Sequence, residues 1–328
     1  MIIVTGGTGF IGSNILKGLE DKGYKNLVSV DWLGTGDKWK NISKRNLSHI
    51  VFPEDLDAFL KEHVDEIECV IHMGAISCTT ETDVDLIVKT NIHLTSSLWK
   101  FCSDNDIRFI YASSAATYGS GEKGFNDSDS ADYLNSLRPL NAYGWSKALF
   151  DRMVAENIRK ETKLPRQYVG LKFFNVYGPN EYHKGSQQSV VAHIFPDALN
   201  NRPVKLFKSY NPSFADGEQL RDFVWVGDIV KVVLWFLENK KVNGLFNVGS
   251  GEPRSFNDLA NATFSALGTS ALISYIDMPE NLQKKYQYFT KADITKLRSV
   301  GFTEPMTSLE DGIKKYVLDF LIKEDPYL

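Results

Sequence analysis

The sequence predicts an α/β fold, a doubly wound parallel sheet with helices on both faces, followed by a smaller C-terminal α/β substrate-binding domain. Three observations predict it. Short apolar runs alternate with helix-period stretches through the first half of the chain, the pattern of βαβ units. The first apolar run stops at a cluster of glycines, Gly6, Gly7, Gly9 and Gly12. Beyond Phe174 the alternation gives way to irregular Gly- and Pro-containing loops without a clean linker.

In order along the chain, Ile2-Ile3-Val4 reads as a strand. Ile11, Ile15 and Leu19 then recur every four residues, with Leu16 beside them, as one face of a helix. Residues 27–30 form a second strand, ended by Asp31. Pro53-Glu54-Asp55 opens a helix, with proline in the first turn and acids near the N-terminus. Residues 69–73 are the third clear strand, 83 to about 104 a long helix, and 108–112 a fourth strand. A helix follows over 141 to about 160, then a strand over 167–174. Residues 223–226 and 245–248 read as two more strands with a helix between them, after an extended polar stretch over 209–219. The expected division is a nucleotide-binding domain of residues 1–174 plus roughly 222–250, and a substrate-binding domain of 175–221 and 251–328.

Composition narrows the class. The 328 residues are 43% hydrophobic and 24% charged, ordinary for a globular protein and incompatible with disorder or collagen. A chain of this length buries a large core without cross-links. Lys+Arg 37 against Asp+Glu 41 leaves −4, with no basic footprint for nucleic acid. Cys69, Cys78 and Cys102 match no CxxC or zinc spacing. They read as reduced thiols, and no metal site is expected. The first residues run straight into glycines without a basic leader. No stretch approaches the ~18 apolar residues of a membrane span. The expectation is a cytoplasmic protein with neither a nucleic-acid nor a membrane partner.

Gly7-x-Gly9-x-x-Gly12, with Gly6 ahead of it, sits between the first strand and first helix. Glycine is needed there for a tight turn, for close approach of the backbone to a pyrophosphate, and for helix–strand packing. The helix N-terminus then offers free N–H groups to phosphate. An acid ending the second strand, Asp31, completes the Rossmann-type dinucleotide pattern. Asp31 can accept from an adenosine ribose, favouring NAD; Lys38 can meet a 2′-phosphate, favouring NADP. A plain βα turn and an exposed lysine are the bland alternatives.

Tyr143 and Lys147 stand one helical turn apart and share a face. A tyrosine near its ordinary pKa of ~10 is a poor base, and a neighbouring ammonium lowers that pKa. Such a pair serves alcohol oxidation. Chance supplies about one Tyr-x-x-x-Lys in a chain of this composition, so context matters. The second instance, Tyr168 and Lys172, falls on a strand, where four residues span about 13 Å and mutual tuning fails. Ser114 follows the fourth strand, at the edge of the sheet where ligands bind, and its hydroxyl can bond the reacting oxygen.

Together these motifs resemble the extended short-chain dehydrogenase/reductase superfamily and its NAD-dependent epimerase/dehydratase family. Residues 175–179 (Asn-Val-Tyr-Gly-Pro), 221–224 and 246–251 extend the match over nearly the whole chain. Residues 112–119, 172–179, 183–186 (His-Lys-Gly-Ser) and 286–290 are similar to the branch of that family acting on ADP-heptose. The resemblance implies an epimerase using tightly bound NADP, with NAD the alternative, and a homo-oligomer, often a pentamer. It implies Tyr143 as first acid/base, Lys147 as its helper, Lys184 as second acid/base and Ser114 and Asn175 as substrate contacts. Ser186, His193, Phe207, Arg221 and Tyr286 match residues that hold the ADP-sugar. Phe10, Ile11, Asp31, Trp32, Lys38, Met73, Gly74, Ala75, Ser77, Asn91, Val176 and Lys184 match the cofactor site, beside Gly6, Gly9 and Gly12. Trp32, Pro53 and Met73 depart from the family's usual residue types. The rival readings are a UDP-sugar 4-epimerase and a non-catalytic NADP-binding sensor. A 4,6-dehydratase needs an acid pair after the serine, where this chain has Ala115 and Ala116.

Overall fold

The computed structural model describes residues 1–283 and 286–328. Seven strands form the main sheet: β1 (Ile2–Thr5), β2 (Leu27–Val30), β3 (His49–Val51), β4 (Cys69–His72), β5 (Arg108–Ser114), β6 (Tyr168–Phe173) and, further on, β10 (Gly244–Val248). Their order is β10-β6-β5-β4-β1-β2-β3 and every pairing is parallel. Strand order therefore reverses at β1, and the crevice outside the carboxyl ends of β1 and β4 is where such sheets take ligands. Both faces are covered, so β1, β2 and β4 are buried at every position. Ile2 and Val4 pack on one side with the helices Phe10–Asp21 and Val226–Glu238. Ile3 packs on the other with Trp99, Phe109 and Phe150.

The smaller part is built from β7 (Asn175–Tyr177), β8 (Val204–Phe207), β9 (Leu220–Trp225), β11 (Pro253–Ser255) and β12 (Ile273–Ile276). They make a three-stranded sheet, β11-β9-β7, and a pair, β12-β8. A separate core of Val191, Phe195, Phe264, Ile313 and Tyr316 holds this part together. Between residues 220 and 250 the chain changes sheets. β9 belongs to the small sheet, while the helix Val226–Glu238 and β10 belong to the large one.

Several elements differ from the sequence reading. β3 lies before the strand counted as third. It is an edge strand with His49 and Ile50 exposed, so it carries no apolar run. Pro53 stands ahead of its helix, which starts at Leu56 after Asp55. The long helix is continuous, but its middle, Val88–His93, is a π turn between Val84–Ile87 and Leu94–Asp104. That turn carries Asn91 inward.

Candidate active site

A cleft of about 570 Å³ opens at the carboxyl ends of β1, β4 and β5. Gly6, Gly9, Phe10, Ile11 and Gly12 form its floor. Gly6 has φ +65°, and a Cβ there would lie 2.7 Å from the Gly74 nitrogen. A Cβ on Gly12 would lie 2.1 Å from the Gly6 carbonyl oxygen. The helix Phe10–Asp21 starts at Gly9 with no side-chain cap and no acid in its first turn. Its first N–H groups are left for an anion. A glycine cradle of this shape under an uncapped helix start fits the pyrophosphate of a dinucleotide.

At the β2 side, Asp31 is heavily engaged. One carboxylate oxygen accepts from the Thr8 hydroxyl (2.6 Å) and amide (3.2 Å); the other accepts from the Trp32 amide (2.8 Å) and Lys38 Nζ (2.8 Å). Lys38 also donates to the Trp32 carbonyl (2.7 Å). Asp31 and Lys38 line the cleft; the Trp32 side chain turns outward, half exposed, with its indole N–H on Glu54 (2.9 Å).

Met73, Gly74, Ala75 and Ser77 form the facing strip. Asn91 lies behind it. Its Oδ1 accepts from the Ile76 amide (2.8 Å), and its Nδ2 donates to the Ile76 carbonyl (2.9 Å) and Ser146 Oγ (3.1 Å). Every donor of that amide is used, so Asn91 fixes the strip. Beneath it runs a buried relay. The Thr95 hydroxyl donates to the Asn91 carbonyl (2.7 Å), so it accepts from His72 Nε2–H (2.8 Å). His72 Nδ1 then accepts from the Thr5 hydroxyl (2.6 Å), whose oxygen accepts the Gly74 N–H (3.2 Å). Burial pushes the His72 imidazole down to about 3, which keeps it neutral.

Tyr143 and Lys147 lie on the helix Ala142–Arg159, capped by the Asn141 side chain on the Gly144 amide (2.8 Å). Gly144 is required: a Cβ would come within 2.6 Å of the Ala116 carbonyl. This contact brings the helix start against the end of β5, where the Ser114 hydroxyl accepts from the Ala116 amide (3.1 Å) and neighbours the Tyr143 phenol. Burial raises the Tyr143 phenol above its ordinary value, and the neighbouring Ser114 hydroxyl opposes the rise. Lys147 differs from the sequence expectation. Its Nζ donates to the Ala112 carbonyl (2.8 Å), and burial brings it down to about 8 against the pull of Asp151. Lys172 of the second Tyr-x-x-x-Lys is fully buried on β6, bonded to Asp151 (2.7 Å) and Thr117 (2.6 Å).

The other wall comes from the smaller part. Val176 and Lys184 line the cleft. Lys184 sits in the short 3₁₀ segment Tyr182–Gln187, its Nζ over the Phe10 ring (5.2 Å to the centroid). Burial lowers it from the ordinary lysine value, with Glu181 opposing. Asn175, Ser186, His193, Phe207, Arg221 and Tyr286 lie outside this lining. Asn175 is exposed on β7, and Phe207 is half-buried at the end of β8. His193 is exposed, its Nε2 near the Ser186 carbonyl (3.3 Å). Arg221 is buried on β9 between the rings of Tyr286 (4.9 Å) and Phe256 (5.7 Å). Its neighbour Asp222 is turned to the Ser250, Gly251 and Ala292 amides. Among the described residues Arg221 has no carboxylate partner; it donates only to the Leu220 carbonyl (3.0 Å). A buried, unneutralised guanidinium is a socket for phosphate.

Sequence reasoning assigned no site role to Cys78, Glu81 and Gln187, which also line the cleft, while Ile76 and His183 fall inside the matched stretches 73–77 and 183–186. For the first three, nearness to motif residues was the only signal.

Comparison with known proteins agrees with this geometry. Residues 2–249 match the NAD dependent epimerase/dehydratase family. The chain is 50% identical to an ADP-L-glycero-D-manno-heptose-6-epimerase of Fusobacterium nucleatum and 44% identical to one of Nitratidesulfovibrio vulgaris, with all of both chains covered in each case. Among solved structures, the Helicobacter pylori ADP-L-glycero-D-manno-heptose-6-epimerase aligns with TM-score 0.76 and 28% identity over 96% of this chain and 94% of that one. A UDP-N-acetylglucosamine 4-epimerase of Methanobrevibacter ruminantium aligns with TM-score 0.79 and 25% identity over 96% of each. The chain belongs to the NAD dependent epimerase/dehydratase family and, within it, to the ADP-L-glycero-D-manno-heptose-6-epimerases.

Proposed function

We propose that the cleft inverts carbon 6 of an ADP-heptose, interconverting ADP-D-glycero-D-manno-heptose and ADP-L-glycero-D-manno-heptose through a transient 6-ketone. In the cell this serves assembly of the lipopolysaccharide inner core. The observation that carries the mechanism is that Tyr143 and Lys184, from different parts of the fold, line one cleft. Inverting an unactivated secondary alcohol requires a temporary ketone and therefore a hydride acceptor that later gives the hydride back. A nicotinamide dinucleotide held by the glycine floor, Asp31, Lys38 and the strip of residues 73–77 supplies that chemistry when bound.

The chain's own residues do the rest. Tyr143 takes or gives the hydroxyl proton on one face of carbon 6, with Ser114 bonding the same oxygen. Lys147 holds the ribose. The hydride position is fixed, so the sugar end must turn to present its other face, and the oxygen then needs a second proton partner. Lys184, kept below its ordinary value by burial, is suited to that. Arg221 anchors a phosphate while the sugar turns, with Ser186, His193, Phe207, Tyr286 and Asn175 shaping the same subsite.

NADP, rather than NAD, is the cofactor of this reading. Asp31 already accepts from Thr8, Trp32 and Lys38, which leaves little capacity for a ribose 2′-hydroxyl. Lys38 Nζ uses two of its three donors and keeps one for a 2′-phosphate. The reading also includes a homo-oligomer, a pentamer by family likeness, in the cytoplasm, where its three unpaired cysteines stay reduced. Incubating the purified protein with ADP-D-glycero-D-manno-heptose and no added cofactor tests it by proton NMR. Appearance of the L-glycero epimer is expected. No conversion, even with NADP and then NAD supplied, overturns the assignment. Mass spectrometry of the released cofactor decides between NADP and NAD.

A further inference from the structure

The segment carrying Lys184 is tied to the helix under the glycine turn by asparagines that the mechanism above does not use. Asn41, on the 3₁₀ segment Asp37–Ile42 that also carries Lys38, is 1% exposed. Its Nδ2 donates to the Thr8 carbonyl (2.9 Å) and the Asn180 carbonyl (3.0 Å), and it lies 3.2 Å from His183 Nδ1. Asn180, fully buried, answers with its own Nδ2, which donates to Ser13 Oγ (3.0 Å) and the Asn41 carbonyl (3.3 Å). Its Oδ1 accepts the Leu328 N–H (3.0 Å). Asn14 Nδ2 bonds the Pro179 carbonyl from the same helix (3.0 Å).

These bonds surround residues 179–183, immediately ahead of Lys184. On the far side Glu181 accepts from the Ser189 amide and hydroxyl (2.5 and 2.6 Å) and the Tyr316 hydroxyl (3.0 Å). Asn180 adopts φ +73°, a left-handed conformation that few residue types take readily. The loop is therefore held in one place from both parts of the fold, against the helix whose first residue, Phe10, lies under the Lys184 ammonium.

We propose that Asn41 and Asn180 form a latch that sets Lys184 against the cofactor-binding helix, making both asparagines positioning residues for the second proton transfer. The inference rests on the reading of Lys184 as second acid/base. Its consequence is one-sided. Oxidation of either epimer moves a hydride from carbon 6 to the oxidised nicotinamide and the hydroxyl proton to a base. For one epimer that base is Tyr143, for the other Lys184. A loosened latch handicaps only the second.

Asn180→Gly is the suitable variant, because glycine accepts the positive φ and the change removes three side-chain bonds without backbone strain. Asn41→Ala is the second variant, and Lys184→Ala the reference. The holoenzyme is mixed with each epimer separately, and formation of reduced nicotinamide is followed in a single turnover. Misplacing a reacting group by about 1 Å costs of the order of a hundredfold. The expected result is roughly tenfold or greater slowing with one epimer, the same one that Lys184→Ala slows, and near wild-type rate with the other. Amide exchange in Tyr182–Gln187 should rise while that of β5 stays unchanged, with or without substrate. Equal slowing of both epimers, or unchanged exchange in that segment, overturns the latch. A one-sided Lys184→Ala beside wild-type Asn180→Gly also overturns it, leaving the acid/base reading intact. A Lys184→Ala that oxidises both epimers at wild-type rate overturns the acid/base reading itself.

Discussion

The two walls of the cleft are built on different principles. The wall of the main sheet places Ser114, Tyr143 and Lys147 through strand ends and one helix, with Gly144 pressed on the Ala116 carbonyl. The opposite wall places Lys184 on a short 3₁₀ segment, with Ser186 and His193 exposed beyond the lining on that segment and the helix after it. On the proposed mechanism one wall holds the first proton partner on regular elements, and the other holds the second on a latched loop beside a sugar that must turn. An epimerase acting at carbon 6 needs both. A rigid cage around the whole heptose holds only one face toward the hydride position, and a loose site places the proton poorly.

The largest effect comes from breaking the fixed wall. Tyr143→Phe should slow epimerisation by roughly 10²- to 10⁴-fold, the usual worth of a general acid/base. Fold and cofactor content should stay unchanged, as read by circular dichroism and absorbance. Lys184→Ala, on the opposite wall, should slow it by about 10²-fold. Wild-type turnover in NMR time courses of Lys184→Ala would leave one proton partner and end the two-base mechanism. Arg221→Ala tests the anchor. A charge-assisted bond to a buried group is worth about 1.5–3 kcal/mol. The Michaelis constant should therefore rise roughly tenfold to a hundredfold, with kcat changed far less. A fall in kcat at constant KM would move Arg221 from anchoring to the chemistry.

The same division decides what the sequence reveals. On the main-sheet wall a local backbone requirement selects the residue type. Gly6 needs a positive φ, Gly12 needs close approach, and Tyr143 and Lys147 share a helical face, so local spacing carries the information. Lys184, Arg221 and Tyr286 have no such local signature. Arg221 beside Asp222 reads as an ion pair in one dimension, yet Asp222 faces the Ser250 and Gly251 amides and Arg221 stacks on Tyr286. Those residues are reached through the family likeness. The strand β3 escaped for a related reason. As an exposed edge it needs no apolar alternation. The behaviour of Lys147 escaped because its partner, the Ala112 carbonyl, is 35 residues away.

The smallest effect concerns how the fixed wall stays fixed. The His72 relay holds the Gly74 amide through Thr5 and the Asn91 carbonyl through Thr95, and it works only while His72 Nδ1 accepts. Burial puts its folded value near 3, below the ordinary 6.5. The unfolded chain therefore binds a proton that the folded one refuses at intermediate pH. The stability this group contributes is complete above about pH 6.5 and is lost as pH falls toward 3. The slope approaches about 1.4 kcal/mol per pH unit in that window. Urea titrations at a series of pH values should show it, and Thr95→Val, which removes the acceptor of Nε2–H, should lower stability by about 1 kcal/mol at neutral pH. Cofactor loss should accompany the acid decline, because the strip of residues 73–77 is what the relay supports. The Lys184 wall carries a histidine of its own, His183, which burial, with Lys38 and Lys184 adding to it, brings down to about 4, so its loss of protection should level off near pH 4 while that of the strip continues toward pH 3. A common course for both walls would mean that they unfold together, and that the cleft has one stability rather than two.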